Sequence, residues 1–153
     1  MLDKKDKQIL DLLQRDSRMS LTRIAKEIGL SIDSTHKRIK KMQKDEIFFQ
    51  TISIDPRKLG YNLTVDVKVK LHNFDEVRYD EFIKYLCKNP FVMSVFSVSG
   101  DYDLTIPLIA MDHEHLDKIS LEIRNKFKDI IADWRGAVNL KIHKYEEFDM
   151  SKL

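Results

Sequence analysis

Lysine side chains on one face of a short predicted helix are the most distinctive chemical feature of this sequence. Over residues 32 to 44 a predicted buried face recurs at helical spacing, through Ile32, Thr35, Ile39 and Met42. The lysines of the same stretch point away from that side, and a polar, cationic surface complements the phosphates of a nucleic-acid duplex. The same side chains would also suit the solvated face of an ordinary helical hairpin, so the pattern alone leaves both interpretations open.

A second short helix and a glycine turn must position this lysine-bearing helix. Ser20 is placed to cap a helix over 20–28, and Gly29 permits the left-handed backbone that ends it. Ser31 can then cap the lysine-bearing helix. With a further amphipathic helix over 3–15, the three predicted helices form a compact unit whose third helix is free to enter a DNA groove.

Basic charge is concentrated in the segment that holds these helices. Residues 1–50 carry twelve Lys or Arg against eight Asp or Glu, whereas residues 51–153 carry fifteen against seventeen. The net charge of the whole chain is only +2, which excludes a generic polycation and requires any DNA contact to be local. The uneven distribution favours DNA binding over simple solvation of the hairpin.

The predicted DNA contacts lie on the third helix and at the starts of the second and third helices. Ser34 and Lys37 are nearest the start of the third helix and are expected to touch base edges. Arg38 projects toward the buried side, and an ion pair with a carboxylate of the first helix is an equally open role. The complete predicted set is Ser20, Arg23, Ser31, Ser34, His36, Lys37, Arg38, Lys40, Lys41 and Lys44.

Beyond residue 44 the apolar residues change from helical to alternating spacing. A β-branched and aromatic stretch over 47–54 predicts a strand, and Asp55-Pro56 opens a turn-rich linker. The remaining predicted elements, in order, are a strand from 63, a helix over 79–88, strands over 91–99 and 104–110, a helix over 112–128 and a strand from Trp134 to Ile142. This order is the split βαβ arrangement, with helices on one face of an antiparallel sheet.

These elements predict an α+β protein of two domains. Residues 1–47 form the helical DNA-binding domain, 48–62 a linker strand and hinge, and 63–148 a βαββαβ ferredoxin-like domain. Pro107 would remove a ladder hydrogen bond from its strand, so we predict a bulge or an edge position there.

The predicted strand over 91–99 is apolar in both registers, whereas the two helices can cover only one face of the sheet. We expect Met93 and Val95 on one face, and Val92, Phe96 and Val98 on the other. An open apolar sheet face most simply pairs with a second copy of the chain, which predicts a homodimer with two DNA-reading helices.

Several function classes are disfavoured by composition. Cys87 is the only cysteine, so no disulfide forms within the chain, and no apolar run has membrane length. We therefore predict a cytoplasmic protein with no membrane partner. The five histidines lack metal-ligand spacing, and no nucleophile has a base near it in sequence, so we predict no metal, no cofactor, no catalytic residue and no enzymatic activity.

Short motifs along the whole chain resemble the Lrp/AsnC family of bacterial and archaeal regulators. They are Leu2-Asp3, Ile24-Ala25, Gly29-Leu30-Ser31, Arg38-Ile39, Asp55-Pro56, Leu59-Gly60-Tyr61, Gly100-Asp101-Tyr102-Asp103 and Lys144. The resemblance implies a winged helix-turn-helix domain and a dimerising βαββαβ domain, called RAM. It also implies assembly into higher oligomers such as an octamer, and a small-molecule effector, an amino acid, bound where dimers meet. Glu46 stands where the family usually has glycine before the first wing strand, so a left-handed turn is less favourable there.

The stretch Gly100-Asp101-Tyr102-Asp103 has two interpretations. Its residue types suit a tight hairpin, and Tyr102 between two carboxylates also offers acceptors and a hydroxyl to an ammonium group. The resemblance assigns the effector to this turn, with Trp134 lining or filling the same pocket. Sirohaem decarboxylases resemble this architecture, so an enzyme of that kind is the alternative to a DNA-binding regulator. They carry a histidine and aromatic motif where this chain has Val98 to Asp103, which is the regulator pattern.

Overall fold

The chain divides into two compact units, each described here by itself. The computed structural model describes residues 2–144 and 147–153. One unit comprises residues 1–53 together with 143–153, and the other comprises residues 54–142. None of the described helices is long and apolar enough to cross a membrane.

The first unit is built on three helices, which confirms the predicted helical positions. They are α1 (Lys4–Arg15), α2 (Leu21–Ile28) and α3 (Ile32–Lys44). Asp3 and Asp6 form a capping box at the start of α1, in which the carboxylate of each residue accepts the backbone N–H of the other. The core of the unit consists of Ile9, Leu10, Leu13, Ile24, Ile28 and Met42.

The buried face of α3 begins one turn later than the sequence predicts. Ile32 is 50% exposed, whereas Thr35 is fully buried. The Thr35 hydroxyl donates to the carbonyl of Ser31 at 2.9 Å, so its burial leaves no unsatisfied donor. The prediction that Ile32 is a core residue is wrong, because it occupies the first position of the helix, outside the packed three-helix core.

The end of α3 adopts the left-handed turn that the sequence did not predict. Glu46 has φ 53°, in the region that favours glycine. The amide of Ile47 donates to the carbonyl of Met42 at 2.9 Å, and the amide of Glu46 donates to that of Gln43 at 3.2 Å. This pair of bonds is the Schellman arrangement, which satisfies the last carbonyls of the helix and holds Glu46 in its strained conformation.

The strand predicted over 47–54 does not form within the chain. Residues 48–55 have neither helical nor strand structure, and Phe49 is 84% exposed. A strand needs a neighbour for its backbone hydrogen bonds, and no described residue pairs with this stretch. The helix-turn-helix is therefore present, whereas its predicted wing is a single unpaired segment.

The second unit is a four-stranded antiparallel sheet with two helices, and its element order confirms the predicted βαββαβ fold. Its elements are β1 (Leu63–Leu71), α4 (Glu76–Lys88), β2 (Phe96–Ser97), β3 (Leu104–Ala110), α5 (His113–Lys126) and β4 (Ile131–Val138). The strand order is β2-β3-β1-β4. Alternate residues of β1 and β3 are buried against Phe82, Leu86, Ile123 and Phe127 from the α4 and α5 side.

The strand predicted over 91–99 is short and irregular. Val92 opposes Leu108 and Phe96 opposes Thr105, so four steps on one strand face three on the other. This bulge moves Val92 and Val95 to the core side and leaves Met93, Phe96 and Val98 exposed, which corrects the predicted division of faces. Pro107 lies opposite the irregular stretch, where its carbonyl accepts from the Met93 amide at 2.8 Å, so the predicted bulge is confirmed.

The last strand ends four residues earlier than predicted. β4 pairs with β1 as far as Val138, opposite Val65. Leu140 is 92% exposed and lies outside the sheet, because β1 begins at Leu63 and offers no further partner there.

Candidate DNA-binding and effector sites

Ser31 and Ser34, two of the residues predicted to contact DNA, are hydrogen bonded to each other at the start of α3. Ser31 Oγ accepts the Ser34 amide at 3.1 Å and donates to Ser34 Oγ at 2.9 Å. Gly29, with φ 68°, supplies the left-handed turn between α2 and α3. The amides of Ile32 and Asp33, which precede the first intrahelical hydrogen bond of α3, give the start of the helix a partial positive charge, which is suited to a phosphate.

The cations of α3 divide into two groups according to their partners. Lys37 Nζ lies 2.7 Å from Asp33, and Lys41 Nζ lies 4.0 Å from Asp45, both as exposed i,i+4 pairs. Lys40 and Lys44 are exposed, and no carboxylate of the described residues lies within 4.0 Å of them. Ion pairing thus reduces the positive field at Lys37 and leaves it at full strength at Lys40 and Lys44.

Arg38 is engaged with the first helix. Its Nη1 donates to Asp3 at 2.7 Å and to Asp6 at 2.8 Å, while its side chain is about one-third exposed. These charge-assisted bonds raise the pKa of Arg38, chiefly through Asp6, and the backbone bond from Asp6 with the Arg38 guanidinium lowers the pKa of Asp3. Arg38 therefore fixes α3 against α1.

The remaining predicted DNA contacts lie at the start and flank of the helix pair. Ser20 caps α2 by accepting the Arg23 amide at 3.3 Å. The Arg23 guanidinium lies 3.8 Å from Glu27 and is well exposed. His36 is exposed on α3. The structure thus brings the predicted residues of α3 onto one helix, with Ser20 and Arg23 on the neighbouring helix.

The stretch Gly100 to Asp103 forms the hairpin loop between β2 and β3. The Val98 amide donates to the Asp103 carbonyl at 2.9 Å and closes the loop, and Gly100 has φ 132°. The Asp103 carboxylate accepts the Leu71 amide at 2.7 Å and lies 3.6 Å from Lys70. Asp103 is thereby committed to β1, whereas Asp101 is exposed and Tyr102 half-buried.

A hollow of about 470 Å³ lies beside this loop. It is lined by Phe74, Glu76, Tyr79, Val98 and Asp103. The Tyr79 hydroxyl is hydrogen bonded to Ser97 at 2.9 Å, and the Phe74 ring lies against the Tyr79 ring. Its lining combines apolar rings with two carboxylates, which suits a ligand with a cationic group and an apolar body. Phe74 and Tyr79 were not predicted as site residues. They lie around the start of α4, and nothing in the local sequence indicates that the fold brings them beside the loop between β2 and β3.

Trp134 does not share this hollow. Trp134 is on β4, opposite Val69 of β1, and packs against the core on the side of the sheet that the helices cover. Strand β1 separates β4 from β3. The predicted effector residues are thus divided between the hairpin loop and the far side of β1.

The sheet face that the helices leave open is mixed in character. Met93, Phe96 and Val98 give it an apolar edge. Lys68 lies opposite Arg135 on the other half of the face, and the Thr105 hydroxyl donates to Asp66 at 2.7 Å. The open face is therefore apolar only along the β2 edge, and the prediction that the whole face is apolar is wrong.

Among the described residues, no group of three or more histidine, cysteine or carboxylate side chains could hold a metal ion. His115 is used locally, since its Nδ1 accepts the Met111 amide at 3.3 Å.

Two family models match the chain. Residues 2–43 match the AsnC-type helix-turn-helix domain, and residues 64–132 match the Lrp/AsnC ligand binding domain. These ranges correspond to the three helices and to the sheet unit up to the start of β4.

Relatives and solved structures agree with these matches. The chain is 31% identical to the HTH-type transcriptional regulator FL11 of Pyrococcus horikoshii, over 94% of this chain and 92% of the relative. It is 29% identical to the DNA-binding transcriptional activator DecR of Escherichia coli, over 82% of this chain and 83% of that one. An AsnC family transcriptional regulator from Agrobacterium tumefaciens superposes with a TM-score of 0.89 at 26% identity, covering 99% of both chains. A Neisseria meningitidis transcriptional regulator, solved as a complex with L-Met, has a TM-score of 0.86 at 22% identity over 95% of this chain and 94% of that one.

Proposed function

The chain belongs to the Lrp/AsnC family of transcriptional regulators, and from that premise we propose how its residues bind DNA and an effector. It is a DNA-binding regulator with a ligand-binding domain. We propose that α3 enters the major groove of double-stranded DNA. Ser34, His36 and Lys37 lie nearest the base edges, while Lys40, Lys41, Lys44 and Arg23 contact phosphates, and Ser20 and Ser31 bring their helix starts against the backbone.

The observation that carries this proposal is the pair of exposed cations, Lys40 and Lys44, on a helix whose other face is packed against α1 and α2. An exposed lysine without a nearby carboxylate keeps its full attraction for phosphate. Arg38 has a different role in this proposal. It acts through α1, since its donors are directed at Asp3 and Asp6.

The test is the salt dependence of binding to a duplex selected from a random pool. Lys40→Ala combined with Lys44→Ala should weaken binding and reduce the slope of log K against log salt by about 0.9 for each lost phosphate contact. The matched control is Lys88→Ala with Lys118→Ala, which removes two exposed lysines from the helices of the second unit. Equal slopes for the two double variants would show that α3 does not face the duplex.

We further propose that the effector is an amino acid that binds at the Gly100 to Asp103 loop and the adjoining hollow. Support comes from the uncommitted groups there, the Asp101 carboxylate and the Tyr102 hydroxyl, and from the L-Met bound by the Neisseria relative. Trp134 contributes from the far side of β1, by fixing the strand that supports the loop. Calorimetry against the twenty amino acids tests this, and loss of heat in Asp101→Ala but not in Asp117→Ala is the expected result.

We propose that the chain works as a homodimer that assembles further. The apolar edge formed by Met93, Phe96 and Val98 and the unpaired segment bearing Phe49 and Ile52 both expose surface that a second copy would cover. Sedimentation velocity of the full chain tests this. Phe96→Asp should lower the molar mass, whereas Val77→Asp, which places the same charge at an exposed apolar position on α4, should not.

A further inference from the structure

Residues 147–153 belong to the DNA-reading unit although they follow the effector unit in the chain. Residues 143–153 form one compact unit with residues 1–53. The polypeptide therefore passes between the units twice, once near residue 53 and once near residue 142. The second passage leads directly from β4, which ends at Val138.

Specific hydrogen bonds hold this segment on α1. Gln14 Nε2 donates to the Phe148 carbonyl at 3.1 Å, and Gln14 Oε1 accepts the Phe148 amide at 3.0 Å. The Met150 amide donates to the Asp11 carboxylate at 3.2 Å. A side-chain amide that is paired in both directions with one backbone unit mimics a β-ladder, so Gln14 fixes the register of the segment.

The same segment also contributes to packing. The Met150 side chain packs against the three-helix core. A turn follows, in which the Ser151 amide and hydroxyl both donate to Asp149 and lower the pKa of that carboxylate. The segment is thus a folded part of the unit, with one apolar anchor and a hydrogen-bonded turn.

Helix α1 links this segment to the DNA-reading helix. Asp11 and Gln14 face residues 147–153, and Asp6 on the same helix holds Arg38 of α3. A displacement of α1 would therefore shift α3. We propose that residues 147–153 are a strap that couples β4 of the effector unit to α3 through α1, so that the two units influence one another through this second passage. The inference rests on the proposed function, because it requires the first unit to bind DNA.

Three variants separate coupling from simple packing. Gln14→Ala releases the strap, and Gln8→Ala is the matched control, because it makes the same change on α1 at a side chain whose carbonyl has no partner among the described residues. The third variant inserts Gly-Ser-Gly-Ser after the exposed Lys141. It adds up to about 13 Å of slack to the second passage while leaving every strap contact in place.

The readout is residue-resolved hydrogen exchange of the full-length chain, with and without a duplex selected from a random pool. Gln14→Ala should speed exchange of the Phe148 amide about tenfold, and Gln8→Ala should not. In the unaltered chain the duplex should change exchange along β4 by at least about fivefold, the lower end of usual coupling. In Gln14→Ala and in the slack variant that change should fall below about twofold.

A β4 response that persists unchanged in the slack variant would overturn the strap, as would a duplex that binds tightly without altering β4 at all. Failure of the proposed function has a different signature, namely that no duplex is bound, and it would remove the coupling as well. A slack variant that binds DNA normally but no longer changes β4 is the result that supports the proposal.

Discussion

Arg38 on α3 and Asp6 on α1 are joined at 2.8 Å, and the same guanidinium nitrogen reaches Asp3 at 2.7 Å. Asp3 and Asp6 are also the two members of the capping box of α1. One cation thus binds the start of the first helix to the middle of α3. The orientation of α3 depends on this cluster as well as on apolar packing.

Removing the cation tests the cluster. Arg38→Ala should destabilise the first unit by about 1.5–3 kcal/mol, the usual range for hydrogen bonds to charged groups, and should weaken DNA binding by loosening α3. Urea denaturation measures the first effect. Arg38→Lys should recover only part of the stability, because lysine keeps the positive charge but lacks the planar set of donors of the guanidinium group. Lys40→Ala, on the same helix, should leave stability nearly unchanged.

Acid should remove the contribution of Asp3. Its pKa lies below the ordinary 3.8, through the bond from the Asp6 amide and through Arg38. A carboxylate with a depressed pKa stabilises the folded state fully above its unfolded value, and this stabilisation is lost as the pH falls through the folded value. Asp3→Asn keeps a good helix cap but lacks the charge. Its deficit in urea stability should be clear at pH 6 and should shrink below pH 3.8. A deficit that is constant with pH would contradict this assignment.

Gly29 and Glu46 both have a left-handed backbone, so removing glycine at the first position should lower stability and introducing it at the second should raise stability. Gly29→Ala, at φ 68°, should cost about 1 kcal/mol, because its Cβ is strained although no atom lies within 4 Å of it. Glu46→Gly, at φ 53°, should relieve strain and gain up to about 1 kcal/mol. Thermal melting measures both shifts. The Glu46 change should be neutral or unfavourable only if the Schellman bonds do not form.

The Asp33–Lys37 pair should restrain DNA binding. Asp33→Asn removes a negative charge from the surface of α3 and frees Lys37, which now lies 2.7 Å from that carboxylate. Affinity for the selected duplex should rise, and its dependence on salt should become steeper, because a charge that repels phosphate is removed. Fluorescence anisotropy across a salt series measures both. Asp45→Asn, which frees Lys41 about one helical turn beyond Lys37, provides the comparison.

The aspartates of the hairpin loop should separate a structural role from a binding role. Asp103→Ala removes the carboxylate that accepts the part-buried Leu71 amide at 2.7 Å. The unsatisfied amide should destabilise the second unit by about 1–3 kcal/mol. Asp101→Ala should not alter stability, because that side chain is exposed. Chemical denaturation monitored by Trp134 fluorescence distinguishes the two variants.

The helices were predictable from sequence because their signals are local. Ser20, Gly29 and Ser31 mark the ends of α2 and α3 within a few residues of each boundary, and the structure places those boundaries where the caps predict. The alternating residues of β1 and β3 gave an equally direct pattern. Each of these elements is specified by its own residues.

The differences arise where a distant partner decides. The bulge at Met93 depends on the register against β3, and the wing predicted over 47–54 has no neighbouring strand among the residues that the structure describes. Glu46 adopts a left-handed turn because two backbone bonds outweigh its intrinsic preference. The strap gave no signal at all, because residues 147–153 have no periodicity, and Gln14 resembles any exposed helical glutamine.

The strap also has a consequence for the timing of biosynthesis. Gln14 and Phe148 are 134 positions apart. A ribosome adds about 5–20 residues per second, so α1 waits on the order of ten seconds for the segment that completes its surface. During that interval the nascent chain already carries the helix-turn-helix while lacking the Met150 anchor. A unit completed by residues 147–153 reaches its final packing only after the effector unit has been synthesised, so that a chain interrupted before Phe148 never displays the finished unit.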